Sequence, residues 1–361
     1  MDRIEKTLRK GNTMLSREIK IQLCYWSGQS SDSTETAAAR RQLHQIRTSR
    51  LQALAQLHGA LGEEQLDWQA RRFPVLAALA PVMTSVEGEI TYPGDPMCLY
   101  AALSVTVDSA LRSARHGVGG NSPFTDLCPD WGKLPTKLQR LAATHGVRSW
   151  NTDESTPDRS VFDPRVWDDE AREDFRAELA RCRPRVFLIS TVSPGHRYAL
   201  EMARMVKRET PECLVVLGGR HIDETMRYVP AAQRLSLEYS STLRAIDDGR
   251  IEPVVDFLVS GEGHYALDML MRAIALSMDL NRTRAEVADV VRMLGLLGQA
   301  GEKVSGSSLI CAVTPEEVHA FPIRGDRFDL ADLPSPYQGF GIRSASRSSP
   351  MLTGCRPAPP T

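Results

Sequence analysis

RPRVFLISTVSPGHRYALEMARMVKRETPECLVVLGGRHIDE, residues 183–224, carries the alternation that decides the fold. Its opening RPRVFLIST (183–191) has the length and β-branched content of a buried strand. HRYALEMARMVKRET (196–210) spaces its apolar residues as an amphipathic helix does, and CLVVLGG (213–219) is a second buried strand. Two strands joined by a helix-length crossover form a parallel unit, because a parallel pair cannot be closed by a tight turn. Working outward, FPVLAALAP (73–81) reads as a strand ended by Pro81, GVRSWN (146–151) as another and VVDFLVSG (254–261) as the last. Helices are expected at MCLYAALSVTVDSALRSA (97–114), DDEAREDFRAELARC (168–182) and HYALDMLMRAIAL (264–276). Five buried strands with such connections predict an α/β fold: a doubly wound, Rossmann-like (flavodoxin-like) parallel five-stranded sheet with helices on both faces.

Around that unit the chain changes character. Residues 1–72 hold 12 Lys+Arg against 8 Asp+Glu, while the remaining residues hold 32 against 37. Within this helical N-terminal segment, TAAARRQLHQIRTSRLQALAQLHGAL (36–61) places Leu43, Ile46, Leu51, Leu54 and Leu57 near helical spacing, a stripe suited to a packing or dimer arm. IKIQLCYW (19–26) is either a short strand or an accident of composition. The predicted domain proper spans 73–280. Residues 281–340 read as a separate small element, with a helix around AEVADVVRMLGLLGQ, a hairpin from SLICAV to EVHAFPI and a Pro-bearing linker, DLPSPY. The tail 341–361 has no acidic residue, three Arg and four Pro, a composition that does not order alone.

Composition excludes several functions. With 361 residues, 42% hydrophobic and 25% charged, the chain is globular rather than fibrous or disordered. A net charge of -1 supplies no basic field for nucleic acid or an anionic membrane. Seven scattered cysteines without a C-x-x-C pair fit neither a disulfide framework nor a zinc site, and no H-x-x-x-H or H-E-x-x-H occurs. The charged start MDRIEKTLRK and the lack of a long apolar run lead to a cytoplasmic expectation. Asp168, Asp169 and Glu170 read as charges at a helix N-terminus, and Cys182 and Cys213 as core residues. No nucleophile–base constellation stands out, so no catalytic residue is assigned.

In an open parallel sheet, ligands sit outside the carboxyl ends of the strands, so the residues just after each strand matter most. After the third strand come Ser190, Thr191, Val192 and Ser193, hydroxyl-rich and small; the plainer account is that Ser193 caps the helix beginning near His196. After the fourth come Gly218, Gly219, Arg220 and His221, where two glycines admit either a ligand's close approach or a tight turn. After the fifth come Gly261, Glu262 and Gly263, with Glu262 placed to cap the next helix or meet a ligand. Three strand ends built this way outline a crevice.

The run 183–224, followed by VVDFLVSGEGHYALDMLMRAI (254–274), resembles the cobalamin (vitamin B12)-binding domain of B12-dependent radical S-adenosylmethionine (SAM) enzymes. The likeness covers roughly residues 73–338, reaching DRFDLADLPSPY, which is similar to the linker before the catalytic barrel of those enzymes. The resemblance implies cobalamin, as methylcobalamin or hydroxocobalamin, as the bound cofactor. It implies that Ser190, Thr191 and Ser193 line the pocket for the dimethylbenzimidazole tail. Gly218 and Gly219, with Arg220 and His221 following, match the glycine pair against which nucleotide and corrin lie, and Gly261, Glu262 and Gly263 match the third wall. On that reading Gly219 is the position at which a bulky replacement abolishes corrin binding while leaving the fold.

Two departures qualify the likeness. The D-x-H-x-x-G motif that brings a histidine to cobalt in other B12 proteins is absent: His116-Gly117-Val118-Gly119 has Ala114 where Asp belongs. Radical SAM relatives generally lack that histidine too; His196, His221 and His264 are candidate contacts, but each reads more plainly as a surface or capping residue. The second departure is the C-x-x-x-C-x-x-C motif for a [4Fe-4S] cluster: PMLTGC resembles its lead-in at Cys355, but Pro359 stands at the second position and the sequence runs to Thr361. Cluster and SAM are therefore expected only where a separate radical SAM domain or protein supplies the barrel, as in a truncated or split arrangement, and binding without turnover is expected of this chain. The competing readings are a stand-alone cobalamin carrier or sensor and a dinucleotide-dependent oxidoreductase. The latter lacks its fingerprint, since Pro81-Val82-Met83-Thr84 follows the first strand where a G-x-G-x-x-G turn belongs.

Overall fold

The computed structural model describes residues 17–22, 24–25, 34–60, 75–82, 159–162, 164, 166–261, 263–277, 284–300, 307–324 and 343–344. In chain order the elements are β1 (Glu18–Ile21), β2 (Cys24–Tyr25), α1 (Thr34–Ala60), β3 (Val75–Leu79), β4 (Arg159–Phe162), α2 (Asp169–Cys182) and β5 (Val186–Ser190). Then come α3 (His196–Glu209), β6 (Leu214–Gly218), α4 (Arg220–Thr225), β7 (Met226–Val229), β8 (Arg234–Leu237), α5 (Thr242–Asp247) and β9 (Phe257–Gly261). The last are α6 (Gly263–Ser277), α7 (Val287–Gln299), β10 (Ser307–Val313), β11 (Glu317–Arg324) and β12 (Arg343–Ser344).

The strand β5 shows why a parallel sheet forms. Its side chains alternate between two apolar cores: Val186 and Leu188 join one, Phe187 and Ile189 the other. A strand buried on both faces reads as a continuous apolar run, which VFLIS is. The first core takes Ala39 and Leu43 of α1, Ala266, Met269, Leu270 and Ile274 of α6, and Val290, Leu294 and Leu297 of α7. The second takes Phe175 and Leu179 of α2 and Tyr198, Met202, Ala203 and Val206 of α3. Helices thus cover both faces. Phe175 is fully buried and meets Phe162, Trp167 and Phe187 at ring-centroid distances of 5.0, 5.9 and 5.7 Å, and burying one such ring contributes about 2–3 kcal/mol.

The sheet runs β1-β11-β10-β9-β6-β5-β3-β4-β12, with β2 also on β11. From β12 through β9 every pairing is parallel. The strand beside β3 is Arg159–Phe162; the stretch 146–151, expected as the second strand along the chain, and the helix expected at 97–114 lie outside the described residues. The helix at 168–182 is present, and Asp168 caps it, its Oδ1 accepting the Ala171 N–H at 2.9 Å. Arg183 ends it with a left-handed backbone, φ 46°.

The hairpin expected at SLICAV and EVHAFPI does form, as β10 and β11, but not as an element apart. The strand β10 adds antiparallel to β9, from Ser308 opposite Gly261 to Ala312 opposite Phe257. The outer edge of β9 carries backbone donors and acceptors that need partners, and the hairpin supplies them. IKIQLCYW resolves into strands too, β1 and β2 lying parallel to β11. The described start of α1 packs within its own chain: Leu43 is 1% exposed and Arg40 Nε donates to the Ala300 carbonyl at 3.0 Å.

Candidate functional site

The register of the parallel strands brings the singled-out residues into one row. Leu79 pairs with Ser190, and Ser190 with Gly218, so β3, β5 and β6 end level. The chain beyond each end is then stitched to its neighbour. Ala80 N–H donates to the Ser190 carbonyl at 3.0 Å, Thr191 N–H to the Gly218 carbonyl at 3.1 Å, and His221 N–H to the Thr191 carbonyl at 3.1 Å. Gly261 N–H donates to Asp223 Oδ1 at 2.7 Å, which ties the end of β9 to α4. Of the three strand-end groups, Ser190, Thr191, Val192, Ser193, Gly218, Gly219, Arg220, His221, Gly261 and Gly263 are therefore assembled along one edge. Glu262 and the side chain of His264 lie outside the described residues.

Within this row the residues divide by exposure. Thr191 is 1% exposed, and its hydroxyl donates to the Val192 carbonyl at 3.0 Å, so it serves the turn. Val192 (38% exposed) and Ser193 face outward. Arg220 is exposed and pairs with Glu224 at 2.7 Å. Gly195 sits so close to the end of β3 that an added Cβ would lie 2.9 Å from the Pro81 carbonyl oxygen.

The glycine pair is asymmetric. Gly219 has φ 95° and ψ -179°, a region essentially reserved for glycine. A Cβ there would stand 2.7 Å from Ser190 Oγ and from both the amide nitrogen and the carbonyl oxygen of Thr191. This corrects the expectation that a bulky residue at Gly219 tests the pocket with the fold intact: the position is filled by the neighbouring strand end. Gly263 differs, with no atom of the described residues within 4 Å of the place a Cβ would take.

His221 overturns its reading as a surface or capping residue. It is 3% exposed, and its Nδ1 lies 3.0 Å from Ser193 Oγ. Ser193 accordingly does not cap α3, whose first residue follows Gly195 with no side-chain cap bond. The His196 ring stacks on His221 with centroids 4.0 Å apart, and its Nε2 lies 2.8 Å from Thr242 Oγ1 of α5. Sequence reasoning misses this chain of Ser193, His221, His196 and Thr242, because 46 residues separate His196 from Thr242 and only the fold closes that distance. It misses Asp223 too, whose place two residues beyond His221 gives no periodic signal.

Burial and the facing His221 ring hold the His196 imidazole down at about 4, and burial also lowers His221. The unfolded chain therefore takes up protons at His196 first, between its ordinary value near 6.5 and about 4. Stability is expected to hold above that window and to fall as the pH drops through it. Urea unfolding at a series of pH values checks this, with His196→Asn expected to flatten the slope relative to the native chain.

Among the described residues no three His, Cys, Asp or Glu side chains are grouped to hold a metal ion. Cys182, Cys213 and Cys311 are buried and form no disulfide, and burial pushes the Cys213 and Cys311 thiols well up, so those two are inert core residues. No helix among the described residues is long and apolar enough to cross a membrane. The chain matches no protein-family model. No curated protein is significantly similar to it. The class that fold and site define is thus an α/β protein with a mostly parallel sheet and a glycine- and hydroxyl-lined strand-end edge.

Proposed function

We propose that this edge binds cobalamin, as the B12-binding module of a radical SAM enzyme of the methyl-transferring type. The observation that carries the reading is the level row of β3, β5 and β6, which sets the residues after Ser190 and after Gly218 side by side, with Gly261 tied to them through Asp223 of α4. The order of β3, β4, β5, β6 and β9, five of the six strands in the parallel run, supports the finer, flavodoxin-like doubly wound description. Counted along the chain these five lie second, first, third, fourth, fifth, an order in which the connections leave in opposite directions from the first and third strands, the place at which sheets of that order bind their ligands.

The residues present fit the tail of such a cofactor. Ser193 is exposed, Thr191 and Gly218 bring backbone close to the edge without bulk, and no described atom stands within 4 Å of where a Cβ at Gly263 would lie. The imidazole nearest Ser193 is already bonded to that hydroxyl, which suits a cobalamin bound without this histidine on cobalt. When bound, cobalamin would supply methyl-transfer chemistry; the chain's own residues would hold the ligand and shield its tail from water. A separate radical SAM domain or protein, with its [4Fe-4S] cluster and SAM, is the partner this reading calls for.

The test is the UV-visible spectrum of the purified chain after incubation with hydroxocobalamin and gel filtration. Near one corrin retained per chain is expected, with the spectrum of a form lacking histidine ligation. A folded chain that retains no corrin would refute the reading.

A further inference from the structure

The one and a half turns of α4 touch every wall of the strand-end edge. Its start follows Gly219, its His221 N–H bonds the Thr191 carbonyl, and its His221 ring meets Ser193. Two residues on, Asp223 Oδ1 receives the Gly261 N–H at 2.7 Å. Gly261 itself has φ 87°, so the end of β9 turns away from regular strand geometry at the residue Asp223 holds. Behind α4, Ser260 Oγ donates to the Met226 carbonyl at 3.3 Å, and Glu238 N–H to the Thr225 carbonyl at 2.9 Å, so the helix is anchored at its far end as well.

We infer that Asp223 is a positioning residue: through the Gly261 N–H it sets the third wall of the crevice at a fixed distance from the two walls that α4 engages through His221. The inference rests on the cobalamin reading for what the crevice holds, and on the hydrogen bonds alone for the clamp. A rigid, flat ligand touching all three walls needs them spaced before it arrives, because each wall ordered on binding subtracts from affinity. A wall held by one short, charge-assisted bond is spaced in this way. Burial raises the Asp223 carboxyl, and the Gly261 N–H opposes that rise, so the bond itself favours the ionised form.

Two variants test it. Asp223→Ala removes the acceptor, whereas Asp223→Asn keeps a side-chain oxygen at the same reach. In the ligand-free protein, amide hydrogen exchange at Gly261 is expected to speed up in Asp223→Ala and to return to near the native rate in Asp223→Asn. Titration with hydroxocobalamin is expected to follow suit, Asp223→Ala weakening binding about tenfold or more and Asp223→Asn staying within a few-fold of the native chain. Unchanged Gly261 exchange in Asp223→Ala overturns the clamp, and so does native corrin affinity in a variant whose Gly261 amide has lost protection. If the native chain binds no corrin while Gly261 exchange responds as described, the cobalamin reading fails and the clamp stands.

Discussion

Gly219→Val is expected to lose about 4 kcal/mol of stability, the sum of a backbone region that costs a non-glycine residue about 1–3 kcal/mol and an overpacked contact costing about 1–3. Both causes act at one place. The φ of 95° disfavours any Cβ, and that Cβ would press on Ser190 Oγ and on the Thr191 backbone at 2.7 Å. The turn cannot relax by moving Thr191, because its N–H and carbonyl are bonded to Gly218 and His221 on either side of the glycine. Gly263→Leu is the contrasting variant. Its added Cβ meets no atom of the described residues within 4 Å, so the melting temperature is expected to stay at or above the native value while hydroxocobalamin retention is lost. Thermal melts of the two variants check the first statement, and retained corrin in Gly263→Leu would move the ligand away from the third wall.

Asp256→Ala is expected to lower stability by about 3 kcal/mol, the order found when one partner of a buried ion pair is removed. At the edge opposite the strand ends, Asp256 Oδ2 accepts from Lys207 Nζ at 2.6 Å and from Val215 N–H at 2.7 Å. Its backbone joins β6 and β10 as well, donating to the Val215 carbonyl at 3.0 Å and accepting from Val313 N–H at 2.9 Å. Lys207 of α3 also reaches the Cys213 carbonyl at 2.8 Å, and the side chain and backbone of Asp256 link α3, β6 and β10. Burial raises the Asp256 carboxyl even beside Lys207, the mark of a group whose charge is tolerated only with its partner. Its loss leaves an ammonium 23% exposed without that partner. A loss of about 3 kcal/mol corresponds to a drop of roughly 6–12 °C in melting temperature. Because the site lies at the far edge, Gly261 exchange measured well below the melt is expected to be native in this variant.

Much of the parallel sheet is legible in the sequence because its signal is local. VLAAL, VFLIS, LVVLG and FLVSG are apolar at every or nearly every position, which only a strand buried on both faces requires. The helices between them carry their own periodicity, and Asp168 announces its helix by residue type alone. The strand beside β3 escapes this reading, since RSVF is four residues long with a charge at its head, too short a run for periodicity to single out. The hairpin is legible as a hairpin but not as part of the sheet: nothing in SSLICAV says which edge it will pair with, and the open edge of β9 decides that.

At the candidate site the sequence determined the composition of the strand ends, with Ser, Thr and Gly at 190, 191, 193, 218, 219, 261 and 263, because these residues follow directly from where each apolar run stops. Tertiary structure alone decided which of them do what. Strand register set Ser190, Gly218 and Leu79 level, and that alignment forced Gly219 against Thr191, making it a packing glycine rather than an open wall. The turn after Gly219 then carried His221 to Ser193 and Asp223 to Gly261, contacts that span 28 and 38 residues. Local pattern is written by the chain's own neighbours; distances across strand ends are written by register, which no single segment contains.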